Sequence, residues 1–162
     1  MNKLNIEKDA FGKKLTVTRY FNATPEQVWR AWTEKELLDQ WWAPKPYQAQ
    51  TKTLEFVNGG TWLYAMAGPE GDKNWCKVEF KNIVPGKSFD SIALFSDENG
   101  VTNDIIPAMH WTNTFYGEAA GTKVVIEVSF ATEEGLKAIV EMGFQEGFAS
   151  AMENLDQIFS QQ

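Results

Sequence analysis

Between Lys13 and Phe21 the chain reads "KKLTVTRYF", with Leu15, Val17, Arg19 and Phe21 alternating against Thr16, Thr18 and Tyr20. A period of two marks a strand. The pattern then changes. In "TPEQVWRAW", Thr24 can serve as an N-cap, Pro25 suits the first helical position, and Gln27 three residues after Thr24 completes a capping box. Val28, Trp29 and Trp32 give this helix an apolar side. A second short helix, "EKELLDQWW", follows at once and stops before Pro44, because proline disfavours helical geometry in the residue ahead of it.

From Tyr47 to about Phe130 the period of two returns. Strands are predicted at roughly 47–56, 60–67, 74–84, 87–95, 108–117 and 122–130, separated by "NGG", "GPEGDKN", "PGK", "SDENG" and "EAAG". With the first, they make seven. Trp62, Tyr64 and Met66 alternate with Thr61, Leu63 and Ala65, and Val124, Ile126, Val128 and Phe130 alternate with Lys123, Val125, Glu127 and Ser129. One face of the sheet is therefore bulky and apolar.

The chain closes with "TEEGLKAIVEMGFQEGFASAMENLDQIFSQQ", predicted as one helix of up to about 28 residues capped by Thr132. Leu136, Ile139, Val140, Gly143, Gly147, Ala151, Leu155 and Ile158 recur at three- and four-residue spacing and define the face that lies on the sheet. Each glycine costs roughly 1 kcal/mol against alanine inside a helix. Two gains would offset that cost: close approach of helix to sheet, or a void left for a ligand.

The stretch "DQWWAPKP" poses a packing problem. Adjacent helical residues point about 100° apart, so Trp41 and Trp42 cannot share one narrow stripe. One of them needs a second surface to cover.

The order of one strand, two short helices, six strands and a long helix resembles the helix-grip fold of the START and birch-pollen-allergen-like (SRPBCC) superfamily, in which a curved antiparallel sheet wraps a C-terminal helix. "LTVTRYFNATPEQVWRAWTEKELLDQWWAPKPY", "LEFVNGGTWLYAMAGPEG" and "GFQEGFASAMENLDQIF" resemble the pattern of the family of activator of heat-shock-protein-90 ATPase homologues. The likeness spans residues 13–160 and implies an α+β chain forming a single domain over residues 1–162. It sets "EFVNGG" at a family pattern approximating Asp-x-Arg-x-Gly-Gly, where Glu55 keeps the acid and Val57 replaces the base. A charge pair at that point is not available here. In the helix-grip fold that the chain resembles, one of Trp41 and Trp42 would anchor the second helix and the other face the cavity mouth or the long helix, unless both are core packing.

Composition narrows the partners. At 162 residues, 43% apolar and 23% charged, the chain can bury a core without a metal or disulfide. It has no apolar run long enough for a membrane span, and "MNKLNIEKDAFGKK" lacks the centre of a signal peptide, which implies a cytoplasmic protein and no membrane partner. A net charge of −7 without a basic patch argues against nucleic acid. The single cysteine, Cys76, excludes an internal disulfide framework and a cysteine-cluster metal site. Aromatic residues reach 14%, with seven tryptophans, enough to fill a core or line a pocket.

Catalytic chemistry is weakly represented. His110 alternates with Met109 and Trp111 and faces outward if Trp111 faces inward; Glu55 and Glu79 form no evident pair; Cys76 falls on the side of Val78 and Phe80 as an inert buried thiol. "GPEGDKN" lacks the lysine-serine ending of a phosphate loop. We therefore assign no catalytic, cofactor or metal residue. The expected site is a cavity between sheet and helix, lined by Trp42, Trp62, Tyr64, Met66, Trp75, Phe80, Trp111, Asn113, Phe115, Met142, Gly143, Gly147 and Phe148, with Tyr64 and Asn113 orienting a ligand. The expected function is non-enzymatic binding of a small apolar or aromatic molecule. The resemblance implies as alternatives a co-chaperone module that stimulates a heat-shock-protein ATPase, through contact with a chaperone, and an enzyme of cyclase or hydrolase type.

Overall fold

A computed structural model describes residues 4–9, 12–43, 45–103, 108–118 and 121–160. Pro44 and the turn residues Ala119 and Ala120 lie outside the described residues. The elements run β1 (Leu4–Lys8), β2 (Lys14–Phe21), α1 (Pro25–Thr33), α2 (Lys35–Trp41), β3 (Gln48–Leu54), β4 (Thr61–Ala67), β5 (Lys73–Val84), β6 (Ser88–Ser96), β7 (Thr102–Asn103), β8 (Met109–Glu118), β9 (Gly121–Ser129), α3 (Glu133–Glu141) and α4 (Phe144–Ser160). All strand pairs are antiparallel, in the order β1-β2-β9-β8-β6-β5-β4-β3, with β7 paired to β6.

Register shows how the apolar face is assembled. Phe80 pairs with Ser91, Ser91 with Trp111, Trp111 with Val128 and Val128 with Leu15, so one row crosses five strands. The neighbouring row runs Phe89, Asn113, Ile126 and Val17. Residues paired across strands project to the same side, so both rows face the helices. Val17, Val124, Ile126 and Val128 are completely buried there. Arg19 lies on the same side of β2, buried, with its guanidinium held by Asp156 of α4 and by the Tyr20 carbonyl, which it reaches at 3.1 Å. A charge there needs its partner, since an unpaired buried guanidinium is strongly unfavourable.

Helix α1 begins as its sequence predicts. Thr24 Oγ1 accepts from the Gln27 amide at 3.2 Å and the Gln27 side chain accepts from the Thr24 amide at 2.9 Å. Thr132 likewise caps α3, accepting from the Gly135 amide at 3.0 Å.

Two expectations are corrected. Among the described residues the sheet has nine strands rather than seven, because β1 adds an edge and the two-residue β7 pairs with the end of β6. The terminal helix is not continuous. Met142 closes α3, and Gly143 adopts a left-handed φ of 92° before α4 starts. A Cβ on Gly143 would meet nothing within 4 Å, so this glycine serves a turn rather than a close contact. Gly147 lies inside the first turns of α4, its amide donating to the Gly143 carbonyl at 2.9 Å.

Gly143→Leu should therefore destabilise the fold through backbone strain alone, by about 1–2 kcal/mol, and Gly143→Asn by less, because asparagine tolerates the left-handed region. Urea denaturation of the two variants checks this. Equal losses for both would show that side-chain space, not φ, governs the position.

Candidate functional site

The tryptophan pair divides as strand and helix geometry require. Trp41 is fully buried, and its indole N–H donates to the Ala31 carbonyl at 2.9 Å, which ties α2 to α1. Trp42, half-buried, turns inward and donates from Nε1 to the Tyr64 hydroxyl at 2.8 Å. Its ring meets Trp62 at 5.4 Å, Trp111 at 5.8 Å and Phe148 at 6.4 Å between centroids. From α4, the buried Asn154 donates to the carbonyls of Ala43, at 3.2 Å, and Trp41, at 3.5 Å. These carbonyls follow the end of α2 and would otherwise lack partners.

Beneath Trp42 lies a cavity of about 30 Å³. Five of the expected residues border it: Trp42, Trp62, Phe80, Trp111 and Asn113. Its other walls are Trp32, Leu38, Val78, Phe89, Ser91 and Ala93. None of these eleven side chains carries a charge at neutral pH. A cavity of this size holds little more than a water molecule, whereas ligand pockets usually enclose some 300–1,000 Å³. The space between sheet and helices is thus mostly occupied by the protein's own rings.

Two of the residues that border the cavity carry a polar atom without a partner. Trp111 Nε1 and Asn113 Oδ1 are buried, in residues 6% and 3% exposed, and neither makes a hydrogen bond. Leaving a buried donor or acceptor unpaired costs about 1–3 kcal/mol.

The other expected residues are distributed as follows. Tyr64 stands behind Trp42, stacked on Trp62 at 4.1 Å. Phe148 covers Trp42 and Trp111 from α4, joined by Phe144, which the sequence did not single out. Phe115 does not border the cavity; it joins Trp29, Phe56 and Phe89 in a cluster under α1 that adjoins the cavity through Phe89 and Trp32. Met66 is half-buried on β4 and packs on the core outside the cavity wall. Trp75 lies one position out of phase with Cys76, Val78 and Phe80 and faces away from the helices, with the Lys52 ammonium 6.0 Å from its ring. Met142 is 59% exposed at the α3–α4 turn. Neither Gly143 nor Gly147 borders the cavity. Ser91 and Ala93 were missed; their signal was the alternation Phe89, Ser91, Ala93, Phe95, which places two small residues amid large ones on the inner face.

A larger, open groove of about 480 Å³ lies outside, between the end of α2, the start of β3 and α4. Asp39, Gln48, Asn154 and Gln157 make its lining polar, and it contains none of the expected residues.

The groups considered for catalysis are dispersed. His110 and Glu55 are exposed, and Glu79 pairs loosely with Lys77 at 3.8 Å. Val57, at the place of the absent base, is 57% exposed. Burial pushes the Cys76 thiol up to about 11, against the pull of its hydrogen bond with Tyr64; burial likewise raises the Tyr64 phenol well above its usual value. A thiol held neutral is a poor nucleophile. Because the folded value lies above 9.0, the neutral thiol contributes stability below about pH 9 that is lost as pH rises through about 11. At pH 8, iodoacetamide should alkylate Cys76 about a hundredfold more slowly in the native protein than in urea, in proportion to its thiolate fraction. Equal rates would show that the thiol is accessible and normally acidic.

Over residues 22–160 the chain matches the family model described as activator of Hsp90 ATPase homolog 1-like protein. A search of curated proteins gives no match. Among solved structures, the chain is similar to a protein from Arthrobacter aurescens, with 29% identity and a TM-score of 0.90 over 98% of this chain and 92% of that one. It is also similar to protein Ms6760 from Mycobacterium smegmatis, with 26% identity and a TM-score of 0.87 over 96% of each chain. A protein from Rhodobacter sphaeroides, 22% identical, shares the fold at a TM-score of 0.88 over 99% of this chain and 100% of that one. With the family pattern running from the end of β2 through α4, the chain belongs to the activator of Hsp90 ATPase homolog 1-like family.

Proposed function

We propose that this protein binds a small apolar or aromatic molecule between the inner face of the sheet and α4, without transforming it. The observation that carries this reading is the cavity under Trp42, walled by uncharged, mostly aromatic side chains, two of which belong to residues with a buried polar atom lacking a partner. Such a wall matches the usual composition of a ligand pocket, apolar with a few placed polar groups. It offers no group for acid-base chemistry at neutral pH, and the only histidine is exposed on β8.

A molecule larger than water enters only if rings move. Phe144 and Phe148 are the ones whose displacement disturbs least, because they sit on the first turns of α4, directly after the left-handed Gly143. Moving that end of α4 opens Trp111 and Trp42 while the Asn154 contacts with Trp41 and Ala43, farther along α4, stay in place.

The test uses N-phenyl-1-naphthylamine, a neutral probe that fluoresces in apolar surroundings, with Ala93→Leu, which extends a side chain into the cavity. Wild type should bind the probe, and the variant should bind it about tenfold or more weakly while remaining folded by circular dichroism. Absence of probe binding by the wild type, together with stimulation of a chaperone ATPase, would overturn the reading in favour of a protein-interaction module of the kind that the family description names.

A further inference from the structure

Trp111 and Asn113 are two apart on β8, so their side chains share the inner face, roughly 6–7 Å apart along the strand. One presents an unused donor and the other an unused acceptor, and both residues border the same cavity. Ser91, paired with Trp111 across β6 and β8, adds a hydroxyl residue to the same wall. The remaining wall is hydrocarbon and aromatic ring.

We propose that the molecule bound here carries one neutral hydroxyl, an alcohol or a phenol, which accepts from Trp111 Nε1 and donates to Asn113 Oδ1, with its apolar body replacing the rings of α4. This rests on the ligand-binding reading above and specifies its polar anchor. A hydroxyl is the smallest organic group that does both jobs at once, and the space is small. It also suits either orientation of the Asn113 amide, since it can accept from the amide nitrogen as readily as it donates to the oxygen. A carboxylate does not fit. No cation stands in the cavity wall, so its charge would be desolvated with neutral donors alone to compensate it. An ammonium fails for the reverse reason, because no carboxylate stands in the cavity wall and the indole N–H can only donate. In the absence of ligand a water molecule can bridge the same two atoms, and the ligand hydroxyl takes its place.

Three probes that share one ring system separate the possibilities: 2-naphthol, naphthalene and 2-naphthoate, titrated at pH 7 into the full chain by calorimetry. Wild type should bind 2-naphthol about tenfold or more tightly than either of the others. In Trp111→Phe and in Asn113→Leu the preference of 2-naphthol over naphthalene should fall to near unity. Should Asn113→Leu fail to fold, Trp111→Phe, which removes the N–H and keeps a ring, carries the comparison. In wild type the indole proton resonance of Trp111, assigned by its loss in Trp111→Phe, should move downfield on addition of 2-naphthol and stay in place with naphthalene. Equal affinity for naphthol and naphthalene would overturn the hydroxyl anchor and leave the apolar-ligand reading standing. Tightest binding of 2-naphthoate would overturn the neutral anchor. Binding of none of the three would sink the anchor and the ligand-binding reading together.

Discussion

The ring of Trp42 is held from four sides, by Trp41 at 5.2 Å, Trp62 at 5.4 Å, Trp111 at 5.8 Å and Phe148 at 6.4 Å, and its N–H is held by Tyr64. It thereby joins α2 to β4, β8 and α4. Ring pairs of this kind contribute about 0.5–1.5 kcal/mol each beyond the area that they bury. The arrangement works only because Trp41 is turned away from it: the rotation between adjacent residues sends Trp41 into α1 and leaves Trp42 for the sheet. Removing either indole would detach α2 from one of its two supports, and Asn154 would then bond carbonyls whose position is no longer fixed.

Much of this architecture is legible in the sequence. The capping box at Thr24 and the strands with clean alternation appear where the pattern puts them, since local hydrogen bonding and a half-buried face leave little choice. The break in the terminal helix is not legible from periodicity. Leu136 and Ile139 before it, and Ala151 and Leu155 after it, are all buried, so the apolar pattern continues across a turn that the backbone does not. Met142 shows the consequence. Three residues after Ile139, a continuous helix would bring it inward, but the chain has already left the helix and carries it into solvent. Trp75 illustrates a different lesson: its size suggests a pocket, while the parity of β5 places it on the outer face. The edge strand β1 escaped notice because "LNIEK" is only five residues long with two apolar positions, too short a pattern to mark a strand without its pairing to β2.

The aromatic excess divides into two structures with different mechanical character. Under α1, Trp29, Phe56, Phe89 and Phe115 meet edge to face or stacked, and they close one end of the sheet. Around Trp42 the rings instead surround a cavity, and one wall of that layer, Phe144 and Phe148, stands on a helix that begins at a glycine turn. The first cluster is a plug. On the proposed reading, the second would exchange one aromatic neighbour for another with little change in buried area, as a site for an apolar molecule requires when the empty state must also be a packed core.

Polar satisfaction distinguishes such a core from an ordinary one. Among the described residues, one other buried polar side-chain atom, Arg19 Nε, lacks a partner, while Thr122 bonds Ala23, Trp62 bonds Thr51, and the half-buried Asp39 accepts from the amide and hydroxyl of that same Thr51. Trp111 and Asn113 depart from this practice within one strand, beside one cavity. Apolar residues of similar shape would have removed the cost of leaving them unpaired, so packing alone gives no reason for a donor and an acceptor at these positions. On the proposed reading, a ligand with complementary hydrogen-bonding capacity would supply that reason, and these two positions would then select what fills the cavity.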